Sequence, residues 1–388
     1  MGDGKRRGHN EGTVYYWPER DRWVVQISLG PDKRKKFYCK TKQEAIRKKN
    51  EVLRELEQGV LATGPRQKLK DYLGHWLEDV CKPNLRISTC VKYEKIIRLY
   101  IVPELGGVQL QKLTPGQVQA LYTKTWKRGL SSKTVNSIHG LLHKALDDAV
   151  KAGLVSRNVC ESVSSPHVVK RRVKPLTLEQ ARKLLEAARG HRLEVLLTLA
   201  VVTGMRRGEL LALRWSDVDL ERRILLVCHT VDYIAHYGHV ETEPKTESGL
   251  RQIVLPAFMI DVFKQHRIEQ LELRLKVGGA WEDRDLVFCD LHGGYLNSRY
   301  LLKMFDRLLE SAGLPHMHFH DLRHSAASIL LSMGVNAKVI QELLGHSEMS
   351  ITLGTYSHLL PTMQEEAMGK WDDVLGDGDD DEMEDEPR

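Results

Sequence analysis

VVTGMRRGELLALRWSDVD, residues 201–219, contains a Thr-Gly break followed by Arg206. The arginine stands at the start of an apolar helix, with Glu209 one turn on. Such an arginine can cap or pair on its own helix, or it can face an anion, and this stretch alone leaves both readings open. A second stretch, HFHDLRHSAA (318–327), sets His320 and Arg323 three apart where an apparent strand runs into an apolar helix. His316, His318 and His324 crowd around it. His320 and His324 also have the i, i+4 spacing of helical zinc ligands. However, the residue after the first histidine is Asp321, where the metalloprotease pattern has Glu, and no third ligand is marked, so the expectation is no metal.

Two further segments carry chemistry. EPKTESGLRQIVLP (243–256) puts Lys245 in a hairpin turn ahead of an alternating strand. QELLGHSEMSITLGTYSHL (341–359) gives His346 after a Leu-Gly stop, then Tyr356 ten residues later. There is no G-x-x-x-x-G-K-[ST] loop, no G-x-G-x-x-G and no G-x-S-x-G, which leaves nucleotide-binding and serine-esterase chemistry unsupported.

The rest of the 388-residue chain suggests several domains. The six cysteines are scattered without a C-x-x-C pair, which favours a reducing cytoplasm over a zinc module. No apolar run reaches the roughly 20 residues of a membrane span, and no secretory signal opens the chain. The tail, 372–388, has ten Asp/Glu and one Arg; its −9 leaves +15 on the remainder, against +6 for the whole. A basic body suits a polyanionic partner, and the acidic, low-complexity tail reads as disordered.

Three parts separate by pattern, giving an α+β multidomain chain. In residues 1–63, WVVQISL alternates Trp23, Val25, Ile27 and Leu29 against Val24, Gln26 and Ser28. With TVYYW before and RKKFYC after, it predicts a three-stranded sheet, followed by a helix opened by Thr41 and Glu44. Lys33, Arg34, Lys35 and Lys36 cluster on it, interleaved with aromatics, as DNA-contact candidates. Residues 64–162 read as helical. Leu69, Tyr72, Leu73, Trp76, Leu77 and Val80 form one stripe; Val135, Ile138, Leu142, Leu146 and Val150 form another. Lys133 lies outside the stripes and could meet phosphates. A linker (163–175) carries Arg171 and Arg172, two more candidates. The third part, 176–371, opens at a cap, Thr177 with Gln180, and mixes helices with a hairpin near 224–255.

TGMRRGEL, PKTESGLRQIVLP, HDLRH, LGH and TYSHL, in that order, resemble the catalytic pattern of the tyrosine recombinases, the phage-integrase family. Residues 64–162 resemble that family's core-binding domain, and 1–63 its arm-binding domain. The resemblance implies site-specific DNA recombination without metal, ATP or other cofactor. Arg206, Arg323 and His346 would hold the scissile phosphate, and Tyr356 would be the nucleophile. His320 would be the general base, Lys245 the general acid, and Glu209 would orient an arginine or histidine. The chemistry is coherent: a tyrosine of pKa near 10 costs about 4 kcal/mol to ionise at neutral pH, so it needs a base or a cationic field. A preset positive field can stand where Mg²⁺ stands in other phosphoryl enzymes. The implied partners are double-stranded DNA at core-type and arm-type attachment sites, a homotetramer on that DNA, an excisionase and a host DNA-bending protein. The implied place is the cytoplasm, on the nucleoid when bound to DNA. A non-catalytic DNA-binding regulator, a type IB-like topoisomerase and a telomere resolvase are the alternatives.

Overall fold

The computed structural model describes residues 12–28, 34–57, 66–167, 174–244 and 249–345. Two compact units divide the chain between 170 and 171. Among the described residues, no helix is long and apolar enough to cross a membrane.

In the first unit, β1 (Thr13–Trp17), β2 (Arg22–Ser28) and β3 (Arg34–Cys39) form an antiparallel sheet in that order. Helix α1 (Lys42–Glu57) packs on it over Val25, Ile27, Ala45 and Val52. The expected cap is present: the Thr41 hydroxyl accepts from Glu44 N at 3.2 Å, and the Glu44 carboxylate accepts from Lys40 N at 3.0 Å. Pairing register divides the basic run. Arg34 and Lys36 oppose Ser28 and Gln26, on the face that also carries Tyr15, Val24 and Tyr38. Lys35 opposes Ile27 on the helix side, its Nζ 5.7 Å from the Phe37 ring centroid. Arg34, Lys35 and Lys36 therefore do not share one face, because strand side chains alternate. Lys33 and Leu29 lie outside the described residues.

The helical part of this unit has its own core. Helix α2 opens over Leu69–His75, takes π geometry over Trp76–Cys81 and finishes over Lys82–Asn84. Helix α3 repeats the design: Ile87–Ile96, π over Ile97–Ile101, then Val102–Leu105. Helices α4 (Pro115–Lys127) and α5 (Ser132–Lys151) complete it. Thr114 and Gln117 form a reciprocal cap on α4, and the Ser131 hydroxyl accepts from Thr134 N on α5. The predicted stripes are buried, except that Val150 is only partly buried and Val80 is 42% exposed, with Cys81 buried in its place. A π turn holds one more residue than an α turn, so the inward position after Leu77 slips by one. Tyr72 donates to the Ala145 carbonyl at 2.5 Å and Trp76 Nε1 to Asp148 at 2.9 Å, fixing α2 on α5.

The second unit begins with α6 (Leu178–Ala187), capped by Thr177 and Gln180 as expected. Then come α7 (Glu194–Thr203), α8 (Arg207–Ala212), β4 (Val218–Asp219), β5 (Ile224–Val227), β6 (Thr230–Ile234), β7 (Gly238–Thr242) and β8 (Arg251–Val254). The expected single hairpin near 224–255 is two nested ladders. The outer sheet runs β4-β5-β8, and β6 and β7 pair separately between β5 and β8. Helices α9 (Ala257–Val277), α10 (Ser298–Ser311), α11 (Asp321–Ser332) and α12 (Ala337–Leu344) follow. The strand expected before α11 is absent: residues 314–318 belong to no ladder.

Candidate active site

Helix α7 is apolar almost throughout and stops at Thr203, whose hydroxyl turns back to the Leu199 carbonyl at 2.6 Å. Gly204 then takes φ +63°. A Cβ there would stand 2.4 Å from Leu344 Cδ2 on α12 and 3.2 Å from Ala326 Cβ on α11. Glycine thus serves both the left-handed backbone and the close approach of two other helices. Arg206 follows in extended conformation as the N-cap of α8. Gly208, two residues on, would put a Cβ 2.3 Å from Thr230 Oγ1, so α8 lies directly against β6.

Arg206 is held from two sides. Glu209 accepts from its backbone N at 2.9 Å and from Nη1 at 2.7 Å, and Nη2 donates to the Gly345 carbonyl at 3.2 Å. The Arg206 side chain is 40% exposed while that of Glu209 is 2% exposed, so the guanidinium reaches solvent and its carboxylate support does not. Burial alone would raise the Glu209 pKa. The Arg251 hydrogen bond and charge, followed by the bonds from Arg206, outweigh burial and hold it below the usual carboxylate value.

Arg323 rises from the first turn of α11 and is buried. Its Nη1 donates to the Gly204 carbonyl at 2.9 Å, a bond between residues 119 apart in sequence. The two arginine-bearing motifs therefore meet at one turn. His320 is the N-cap of α11, 5.7 Å from the His324 ring in an edge-on arrangement. Burial, then the charges of Arg323, His324 and Arg206, push the His320 pKa below the usual imidazole value, with Asp321 pulling the other way. An imidazole so placed is neutral at pH 7 and free to accept a proton. Asp321 accepts from His318 N at 2.9 Å, just ahead of the helix. The buried Ser325 hydroxyl donates to the Asp321 carbonyl and accepts from Leu176 N, which ties the start of this unit to α11. His316 pairs with Asp306 at 3.4 Å and meets His318 edge-on. Among the described residues, no group of three or more His, Cys, Asp or Glu could hold a metal.

Of the predicted site, Arg206, Glu209, His320 and Arg323 come together around the Gly204 turn. Lys245, His346, Tyr356, Arg171 and Arg172 lie outside the described residues. Gly345, which Arg206 binds, directly precedes His346. Lys133 is exposed in the first turn of α5. Sequence reasoning missed Arg251, whose Nη2 donates to Glu209 Oε2 at 2.8 Å and whose Nε donates to the Leu343 carbonyl at 2.7 Å.

The phage integrase family profile matches residues 174–363, and that of the phage integrase N-terminal SAM-like domain matches 68–126. A protein of Caldanaerobacter subterraneus subsp. tengcongensis named as a XerC-like tyrosine recombinase is 32% identical over 386 residues, 94% of this chain and 99% of that one. The chain belongs to the phage integrase family. This family member is accordingly a tyrosine recombinase, an enzyme of site-specific DNA recombination by cleavage and religation. Its fold is also that of the Tn1549 transposon integrase solved with transposon right-end DNA, at TM-score 0.67 and 21% identity over 78% of this chain and 99% of that one. It is likewise similar to the lambda integrase tetramer bound to a Holliday junction, at TM-score 0.56 and 19% identity over 90% and 96% of the two chains.

Proposed function

We propose that this recombinase integrates and excises a phage or integrative plasmid at attachment sites, with Tyr356 as nucleophile. Tyr356 Oη attacks the scissile phosphorus, its proton passes to His320, and the P–O5′ bond breaks. Lys245 protonates the departing 5′ oxygen. The products are a 3′-phosphotyrosyl link and a free 5′-hydroxyl, and a 5′-hydroxyl from a partner duplex reverses the step. Arg206 and Arg323, with His346, neutralise the charge that builds on the non-bridging oxygens. The bond from Arg323 to the Gly204 carbonyl carries this reading, since it draws both arginine motifs to one turn beside a neutral His320.

The same reading assigns residues 1–63 to arm-type sites, 64–162 with 176–371 to core-type sites, 163–175 to the linker and 372–388 to an acidic tail. Tyr15, Arg34, Lys36 and Tyr38 on one sheet face suit a DNA groove, and Lys133, Arg171 and Arg172 suit phosphates. The active assembly is a homotetramer on DNA, assisted by an excisionase and a host bending protein, in the cytoplasm and on the nucleoid when bound.

The test is covalent trapping. The full chain is mixed with a nicked suicide duplex carrying its attachment core, in EDTA, and run on a denaturing gel. A retarded band whose proteolysis leaves nucleotide on the Tyr356 peptide is the expected result. Tight binding without a covalent band would favour the regulator reading.

A pH dependence follows from His320. Its folded pKa lies below the usual value of about 6.5, so the base stays free through neutrality and is lost only as pH falls through that depressed value. Single-turnover cleavage should therefore keep more than half of its plateau rate at about pH 6.5 and reach its half-maximal point only below that. A half-maximal point above pH 7 on the acid limb would rule out His320 as the base.

A further inference from the structure

Arg251 opens β8, and its side chain is 6% exposed, against 40% for Arg206. It is too enclosed to meet a phosphate, yet its donors run to two helices, α8 and α12, and to the backbone just ahead of β8. Nε donates to the Leu343 carbonyl in the last turn of α12 at 2.7 Å. Nη1 donates to the Gly249 carbonyl at 3.2 Å and Nη2 to Glu209 Oε2 at 2.8 Å. Glu209 in turn holds Arg206, and Arg206 holds the Gly345 carbonyl. The bonds form a closed ring: Arg251 to Glu209 to Arg206 to the 343–345 turn and back to Arg251.

We propose that Arg251 is a positioning residue for recombination. It fixes the Glu209 carboxylate that aims Arg206, and it pins the turn that leads into His346. The proposal deepens the recombinase reading and rests on it. Two features separate this from simple packing. First, Glu209 is shared: its Oε2 takes both Arg251 Nη2 and the Arg206 backbone N, while Oε1 takes the Arg206 guanidinium. A shift of the carboxylate is therefore transmitted to the guanidinium. Second, Arg251 and Arg206 both bind carbonyls at the end of α12, where a cation suits the helix dipole. One ring thus sets the pose of one phosphate ligand and the entry to the next. Three donors pointing in three directions need a guanidinium; a lysine ammonium keeps the charge but cannot reproduce that planar fork.

The experiment compares wild type with Arg251→Lys and Arg251→Gln on two suicide duplexes. One carries the natural scissile phosphate and the other a methylphosphonate, which lacks one charged oxygen. Core-duplex affinity and Tm are measured alongside. If Arg251 acts through Arg206, Arg251→Lys binds DNA within about threefold of wild type but forms covalent complex about 10²-fold more slowly, the scale expected of a small misplacement. On methylphosphonate the gap narrows to tenfold or less, because less charge needs neutralising. A wild-type rate in Arg251→Lys overturns the proposal. So does an equal loss on both substrates that tracks Tm across the two variants, since that marks packing alone. If wild type itself forms no covalent complex on either duplex, the recombinase reading fails, and the proposal fails with it.

Discussion

Tyr356→Phe will bind the attachment core with wild-type affinity and form no covalent complex. The substitution deletes one oxygen and leaves a ring of the same shape, so phosphate contacts that dominate affinity are untouched. Cleavage should fall by at least about 10⁴-fold, because the attacking oxygen itself is removed. The described tyrosines with shifted pKa values support this. Tyr72 and Tyr122 are pushed up chiefly by burial. Tyr295 is raised by burial and then by Glu241, to which its hydroxyl donates at 2.6 Å. Tyr16 is raised by its hydrogen bond to Asp21. Each is held protonated by its surroundings, the opposite of what an attacking phenol needs. The check is a pair of gels, native for binding and denaturing for the covalent band. A covalent band in Tyr356→Phe would move the nucleophile elsewhere and undo the assignment. Equal loss of binding would instead mean that the residue organises the DNA interface.

What could be read from the sequence was local. Caps at Thr41, Thr114, Ser131 and Thr177 are where spacing put them, because a cap depends on a side chain and a backbone N–H two or three residues away. Arg206 with Glu209 could be read for the same reason: the pair spans one turn. Register that depends on distant partners could not. Val80 loses its buried place to Cys81 because α2 widens to π geometry, which the apolar period does not encode. Residues 224–255 look like one hairpin, but β5 pairs with β8 across an inserted hairpin. Lys35 reads as one of a basic run, and only the ladder sends it to the other face. Arg251 stood among 58 Lys and Arg residues with no spacing rule to mark it. Its partners Glu209 and Leu343 are 42 and 92 residues away, and only folding brings them together.

Arg323→Ala should slow cleavage by about 10³-fold, the upper range for loss of one preorganised donor to a developing oxyanion. Arg323 also acts on its neighbour. After burial, its charge is the largest cause depressing the His320 pKa. Removing it lets that pKa climb back towards about 6.5, so the acid limb of the rate profile moves to higher pH. Arg323→Lys separates the two effects. The charge remains, so the limb stays near its wild-type position, while the planar fork is lost and the rate falls about 10²-fold. The buried bond to the Gly204 carbonyl is lost in Arg323→Ala, so Tm is measured at each pH and rates are compared below the unfolding transition. Single-turnover cleavage of the suicide duplex from pH 5 to 8 gives both readouts at once. Identical acid limbs for wild type and Arg323→Ala would show that this guanidinium does not set the base, even if the rate falls as expected. A shifted limb in Arg323→Ala and an unshifted one in Arg323→Lys would tie phosphate grip and base tuning to the same side chain, because the start of α11 places His320, its N-cap, three residues from the buried Arg323.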